Sequence, residues 1–240
     1  PRLYAVWTPS PSLVIKGGYS HAFRAPNLKQ GDPNYVYTSS TYIYYGNGDL
    51  KPESVDAFEL GAQWAVGSVD LSATLFHNRV RDLISSERIG KQGSTTLNRY
   101  VNVNRAEITG LELGANWEIN KHWSWVNNAT ILMTAKDAVA DTRLTYRPRF
   151  AGNSSVQWSA DNGWTGRVGM RHVGSHKASA TIDLPSFNLW NASISKRLNK
   201  TYQVSLGLDN IGNVKLAEKS ADFKTAERGR AVYVSLQADF

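Results

Sequence analysis

Hydrophobic and polar positions alternate with a period of two along almost the whole chain. At the end, Val232, Val234, Leu236, Ala238 and Phe240 share one parity, and Tyr233, Ser235, Gln237 and Asp239 the other. Phe58, Leu60, Ala62, Trp64 and Val66 alternate with Glu59, Gly61 and Gln63, and Leu111, Leu113, Ala115, Trp117 and Ile119 with Glu112, Asn116 and Glu118. Such alternation sends successive side chains to opposite faces of an extended strand. No segment carries the i, i+3, i+4, i+7 stripe of a helix of useful length. The pattern predicts about eleven strands, at 2–8, 11–23, 54–66, 68–86, 97–119, 121–136, 144–159, 163–176, 186–198, 201–213 and 229–240. They outrun the roughly 5–6 residues usual in soluble sheets. Most exceed the roughly 9–11 residues with which a tilted strand crosses a bilayer.

The predicted connections alternate in length. Short ones fall at 8–11, 66–68, 119–121, 160–163 and 198–201; long ones at 24–53, 87–96, 137–143, 177–185 and 214–228. Tight periplasmic turns and long external loops are the mark of an antiparallel outer-membrane barrel. The polar parity carries Arg147, Arg149, Arg167, Arg171, Glu112 and Glu118. A soluble sandwich buries such rows at great cost, whereas a wet lumen holds them. Trp7, Trp64, Trp117, Trp123, Trp125, Trp158 and Trp164 lie near predicted strand ends, as an interfacial belt requires. The rival reading is a soluble β-sandwich with one wet face; it predicts shorter strands and no rule for loop length.

Composition narrows the chemistry. The 240 residues hold no cysteine, so disulfides, thiolate metal sites and a thiol nucleophile are excluded. No apolar run approaches the roughly 18–20 residues of a membrane-spanning helix, and no secretion signal opens the chain. Pro1 in place of Met is the expectation for a processed product or a piece of something longer. The net charge of +7 is spread along the chain, with no basic cluster of the nucleic-acid kind. His21, His77, His122, His172 and His176 are scattered, and no pair has metal-ligand spacing. No Ser/His/Asp arrangement stands out.

Several ordered motifs carry a resemblance. Gly18-Tyr-Ser-His-Ala-Phe-Arg-Ala-Pro-Asn-Leu28 resembles a "FRAPxL" signature, and Gly46-Asn-Gly-Asp-Leu-Lys-Pro-Glu53 a "GNxxLKPE" signature followed by Glu59-Leu-Gly61. Phe76-x-Asn78, Asp82-Leu-Ile84, Tyr100-Val-Asn102, Gly110 and Glu112 continue the series. Asp209-Asn-Ile211, Gly229-Arg230-Ala-Val-Tyr233 and Phe240 close it. In this order they resemble the C-terminal half of a TonB-dependent outer-membrane receptor. Ala25-Pro-Asn-Leu-Lys-Gln30 followed by Pro33-Asn-Tyr35 is most similar to receptors for ferric catecholate siderophores of the enterobactin type.

The resemblance implies an all-β transmembrane barrel of 22 strands, plugged by an N-terminal domain. Residues 1–240 would supply its C-terminal portion, about eleven strands, without the plug or the TonB box. An isolated half-barrel leaves two open edges in lipid. The implied activity is non-enzymatic, multi-pass outer-membrane import of a ferric siderophore driven by the TonB-ExbB-ExbD system through the plug. The iron arrives inside the siderophore, so no cofactor is implied. A self-contained barrel acting as a pore, lipase or protease is the alternative of another class; haem, cobalamin or another siderophore are the alternative cargoes.

Candidate ligand contacts are Tyr35, Tyr37, Tyr42, Tyr44 and Tyr45 in the longest loop, with Arg88, Lys91 and His176. Flat phenol rings stack on catechols and cations attract a trianionic complex; the same tyrosines also suit a loop that packs on itself. The external cations Arg88, Lys91, Arg99, Lys136, Arg143, Lys177, Lys219 and Lys224 suit either ligand or lipopolysaccharide phosphates, and Arg230 favours the latter. Arg147, Arg149, Arg167 and Arg171 are expected on the lumen face, against the plug. Arg24, Asn47, Lys51, Pro52 and Glu53 are expected to be architectural, and Phe240 to be read by the barrel-assembly machinery. Bacteriocins or phage are further expected users of the external surface; nucleic acid is not an expected partner.

Overall fold

The computed structural model describes residues 1–138, 141–179, 181–223 and 227–238. The chain runs through β1 (Arg2–Ser10), β2 (Leu13–Arg24), α1 (Leu28–Gly31), β3 (Val36–Thr38), β4 (Tyr42–Tyr45) and β5 (Glu53–Val66). Next come β6 (Val69–Gln92), β7 (Thr95–Asn120), β8 (Trp123–Asp137), β9 (Thr142–Arg143), β10 (Phe150–Ser159) and β11 (Trp164–Val173). The last elements are β12 (His176–Lys177), β13 (Asp183–Leu184), β14 (Phe187–Arg197), β15 (Tyr202–Asp209), α2 (Leu216–Lys219) and β16 (Ala231–Ala238). Eleven long strands form one antiparallel path, β1-β2-β5-β6-β7-β8-β10-β11-β14-β15-β16, in sequence order. Each overlaps one of the eleven alternating segments. The short elements belong to the external connections: β3 pairs β4, β4 runs parallel to β7, β9 pairs β8, and β12 pairs β13.

Register assigns the faces. Trp64, Leu71, Ala115, Asn127, Ser154, Met170 and Trp190 follow one another across neighbouring strands. The next row is Gln63, Ser72, Gly114, Asn128, Asn153, Arg171 and Leu189. The first row is mainly apolar and faces lipid; the second is mainly polar and faces the lumen. Ser154, a polar residue in the lipid row, accepts a hydrogen bond from the Trp125 indole N–H at 2.9 Å.

On the lumen face, rings fill the space above glycines of adjacent strands. Tyr233 lies so close over Gly207 that a β-carbon there collides with the ring, and Tyr4 covers Gly18 in the same way. Gly207→Val is therefore expected to lower the heat-unfolding midpoint, by about 1–3 kcal/mol of overpacking. Heat-modifiable gel mobility measures it. Removing the ring with Tyr233→Ala in the same chain should restore part of the loss; no difference between single and double variants would refute this packing.

Two of the predicted boundaries that shift matter most here. The span 87–96 is not a long loop: β6 and β7 continue as a ribbon to Gln92 and Thr95, closed by a two-residue turn with Gly93 at φ +61°. A ribbon in water needs no apolar face, so its alternation fades from the sequence although its ladder persists. Second, β10 starts at Phe150 rather than at 144. Tyr146 at φ +54° and the ring of Pro148 break the extended run ahead of it. Phe240 and Lys224 lie outside the described residues.

The buried apolar centre is small and sits at the external end of the lumen face. Val173, Phe187, Leu189 and Leu216 form it, with Val214 and Phe223 packed against them. Leu189 belongs to the lumen row of Arg171, so the connection carrying α2 folds inward over the strands.

Candidate functional site

The signature residues, dispersed in sequence, converge on one place. Arg24 ends β2 and Glu53 opens β5, paired in register. The Arg24 guanidinium donates from Nε and Nη2 to the two Glu53 oxygens, each at 2.7 Å. Glu53, 8% exposed, also accepts the Ile84 backbone N–H at 2.7 Å. Nearby, Asn102 Oδ1 accepts the Lys51 N–H at 2.8 Å, and its amide donates to the carbonyls of Lys51 and Asp82 at 2.9 and 2.7 Å. Asn47 donates to the Tyr100 carbonyl at 2.9 Å. Gly46 lies against the Asp32 carbonyl, where no β-carbon fits. The motifs around Arg24, Glu53, Asp82 and Asn102 are thus one bracket, the architectural role expected for Arg24, Asn47, Lys51 and Glu53. The bracket sits where β6 and β7 leave the barrel. Asp82, at φ +53°, lies at that point of β6.

This bracket holds a ring-bearing platform. β4 lies parallel along β7, with Tyr42, Ile43, Tyr44 and Tyr45 opposite Thr96, Leu97, Asn98 and Arg99. Strand alternation puts Tyr42 and Tyr44 on one face and Ile43 and Tyr45 on the other. On the first face, Tyr44 is the hub: its ring centroid is 6.4 Å from Tyr37, 6.3 Å from Tyr42 and 5.9 Å from Tyr100. Burial, then the neighbouring Tyr35 and Tyr44 phenols, raise the Tyr100 pKa, so its hydroxyl stays protonated at neutral pH. Tyr100 is 20 residues up β7 from Asn120, well above a lipid band about 25 Å tall. Three of the five expected tyrosines therefore join one ring cluster, and Tyr35 lies beside it. Tyr45 turns away. Tyr100 completes the cluster and stands in the Tyr100-Val-Asn102 motif, which was the available signal.

The cations divide. Arg88, Lys91 and Arg99 lie exposed on the β6–β7 ribbon. Lys136 pairs with Asp141 at 2.7 Å and Lys177 with Asp183 at 2.9 Å. Arg143 donates to the Arg147 carbonyl at 3.3 Å; its pKa is lowered by burial and by the nearby Arg149 charge. Arg149 keeps lumen parity, because its carbonyl extends the β10 ladder to the Leu132 N–H at 2.8 Å. Arg147 does not follow that parity: it lies in the turn after Tyr146 and donates to the Tyr146 carbonyl at 3.2 Å. Arg167 and Arg171 share the polar face of β11, Arg167 reaching Ser155 Oγ at 3.3 Å. Arg230 turns inward on its own loop, donating to the Ile211 carbonyl at 3.0 Å.

His176, partly buried, packs within the external connections. Its Nδ1 is 2.9 Å from the Gly174 carbonyl, and its ring sits between Tyr146 at 6.3 Å and Phe223 at 6.2 Å. Phe223 in turn meets Phe187 at 5.8 Å. These rings tie together three external connections. Asn210, 3% exposed at φ +49°, anchors the last of them. Its amide donates to the Val214 and Arg228 carbonyls and its oxygen accepts the Val214 N–H, all at 2.8 Å. Among the described residues no group of three or more His, Cys, Asp and Glu is placed to hold a metal.

Comparison with known proteins agrees with this architecture. The family described as "TonB dependent receptor-like, beta-barrel" matches residues 1–211. The ferric enterobactin receptor PirA of Pseudomonas aeruginosa is 26% identical over 270 residues, covering 100% of this chain and 36% of its own length. The ferrienterobactin receptor of Escherichia coli K12 is 24% identical, over 93% of this chain and 33% of its own. Among solved structures, a Q482A variant of the Pseudomonas aeruginosa ferric enterobactin receptor PfeA, in complex with enterobactin, superposes with a TM-score of 0.83 at 24% identity, covering all of this chain and 40% of that one. The copper transporter OprC gives 0.82 at 18% identity, over 39% of its length. The chain therefore spans well under half the length of these relatives, and relatives with different cargoes share its fold. With the strand order, the lipid and lumen rows and the family match all in agreement, the chain belongs to the TonB-dependent receptors of the bacterial outer membrane, a family of receptors and transporters, and contributes part of their β-barrel.

Proposed function

We propose that this chain is the C-terminal half of a barrel that imports a ferric siderophore, a catecholate of the enterobactin type, by TonB-dependent active transport. The observation that carries the cargo reading is the cluster of Tyr37, Tyr42, Tyr44 and Tyr100, continuous with a ribbon whose Arg88 and Lys91 share the face of Tyr42 and Tyr44 through Asn98 and Thr96. Phenol rings offer flat faces and hydroxyl donors to catechol rings, and the guanidinium and ammonium groups answer a trianionic complex. The ferric enterobactin receptors among the relatives support the same cargo. Loops bind; the energy system, TonB-ExbB-ExbD, acts through a plug that these residues do not include. Arg149, Arg167 and Arg171 line the lumen where that plug would stand. The siderophore delivers its own iron, so the reading calls on no resident cofactor.

The test is ligand-dependent quenching of tryptophan fluorescence in the chain as extracted from outer membranes. A ferric catecholate should quench at micromolar concentration, and haem and a ferric hydroxamate should not. Tyr44→Ala, which removes the hub ring, is expected to weaken binding about tenfold or more, in line with about 1–3 kcal/mol for a buried aromatic contact. Tyr45→Ala, on the other face, should change it less than threefold. Absence of a response to the catecholate, or equal effects of the two variants, would overturn the cargo assignment.

A further inference from the structure

Four polar residues are buried among the described ones: Glu53, Asn98, Ser155 and Asn210. Glu53 holds the bracket, Asn210 anchors the last connection, and Ser155 accepts from Arg167. Asn98, 9% exposed, has no comparable partner. Its Nδ2 reaches only the Thr96 carbonyl, at 3.5 Å, beyond the usual range of such a bond. Among the described residues no donor meets its Oδ1, and none of their side-chain nitrogens or oxygens is both sealed and unpaired. The unpaired oxygen therefore opens to the surface. A ligand that covers it displaces water and has to replace the lost hydrogen bond, or leave a buried amide unsatisfied.

Register puts Asn98 inside a row of side chains. Tyr37 on β3 pairs with Tyr44 on β4, Tyr44 with Asn98 on β7, and Asn98 with Arg88 on β6. Residues set directly across a sheet share a face. Next to this row, Tyr42, Thr96 and Lys91 form a second one of the same kind. The face thus has an aromatic half on β3 and β4, a cationic half on β6, and a seam of hydrogen-bonding groups on β7 between them. Neighbouring strands lie about 4.8 Å apart, so Tyr44 and Arg88 stand on strands about 10 Å apart, with Asn98 midway.

We propose that Asn98 is a specificity-determining residue of this platform and hydrogen-bonds the amide that links a catechol ring to the rest of the cargo. The inference rests on the catecholate reading above and narrows it to catecholamides. A ring laid on Tyr37 and Tyr44 brings its linking amide over the seam and turns the anionic oxygens around the iron toward Arg88 and Lys91. A carboxamide carries both an acceptor and donors, so Asn98 answers either end of that amide. Rings and charge attract every ferric catecholate alike. The buried amide penalises those that cover it without offering a partner.

Two ferric complexes of equal charge test the role: a tripodal tris(catecholamide), and the same tripod with each linking CO–NH replaced by CH2–CH2. Tryptophan quenching in the chain as extracted from outer membranes should show the catecholamide bound about tenfold more tightly than its carbon-linked counterpart. Asn98→Leu, close in volume to the residue it replaces, should weaken the catecholamide and bring the two affinities within about twofold of each other. Equal affinities in the unchanged chain, or an undiminished preference in Asn98→Leu, overturn the role of Asn98 and leave the catecholate cargo standing. Quenching by neither complex overturns both. Should Asn98→Leu fail to fold, Asn98→Ala is read in the same way.

Discussion

Replacing Glu53 with alanine is expected to lower the unfolding midpoint by several degrees and to loosen the external ribbon before the barrel melts. Glu53 joins three elements: it takes two hydrogen bonds from Arg24 on β2 and one from the Ile84 N–H on β6. Truncation leaves a buried N–H without a partner, at about 1–3 kcal/mol. The Arg24 side chain is 61% exposed, so water takes over its lost pairing and adds little to the cost. The total is therefore set by the amide of Ile84 and not by the ion pair. Glu53→Gln separates the two contributions, because its amide oxygen still accepts from Ile84. It should retain more than half of the stability lost in Glu53→Ala. The measurement is a thermal melt followed by heat-modifiable mobility, with proteolysis of the 83–103 ribbon as the local readout. An alanine variant that melts with the unchanged chain and resists protease equally would remove the bracket from the account.

The second large effect is expected at Asn210. Its side chain satisfies the Val214 N–H and the carbonyls of Val214 and Arg228, and its own N–H is taken by Asn191 Oδ1 at 2.8 Å. It does this at φ +49°, a conformation that asparagine tolerates and most side chains resist. Asn210→Ala exposes no new water to these groups, since the residue is 3% exposed. The orphaned partners and the left-handed backbone together should cost about 2–4 kcal/mol. The connection carrying Leu216 and Phe223 should then lift from the lumen face. Asn210→Gly isolates the contributions: it relieves the backbone but restores no hydrogen bond, so it should recover about 1 kcal/mol and leave the loop protease-sensitive. Hydrogen exchange at 211–223 reports the lift directly. Unaltered exchange there in Asn210→Ala would refute the anchoring role.

How much of this was legible beforehand depends on which environment imposed the pattern. Residues between two different solvents, lipid and a wet lumen, must alternate, so the transmembrane strands and their periplasmic turns were readable from parity alone. The 87–92 and 95–96 stretches lie in water on both sides, and nothing in their residues separates a long ribbon from a loop. Arg147 was assigned by extending β10 too far, because parity carries no signal for the break at Tyr146 and Pro148. Tyr44 and Tyr45 illustrate the remaining gap: parity already separated them, yet only the pairing of β4 with β7 selected Tyr44 as the hub and added Tyr100. His176 was a candidate by position; the structure adds its ring contacts with Tyr146 and Phe223, residues 30 and 47 positions away in sequence.

By itself the sequence determined the strand number, their order along the sheet and the parity of each face, since a period of two in a bilayer leaves one arrangement that satisfies every backbone group. It also supplied the family, through motifs whose spacing survives divergence. The tertiary structure alone decided why those motifs exist and what they hold. Arg24 reaches Glu53 across 29 positions and Lys51 reaches Asn102 across 51; Tyr44 meets Tyr100 only through the pairing of β4 with β7. Such contacts depend on which strands lie side by side and at what stagger, a property of the whole sheet that no local stretch of residues encodes.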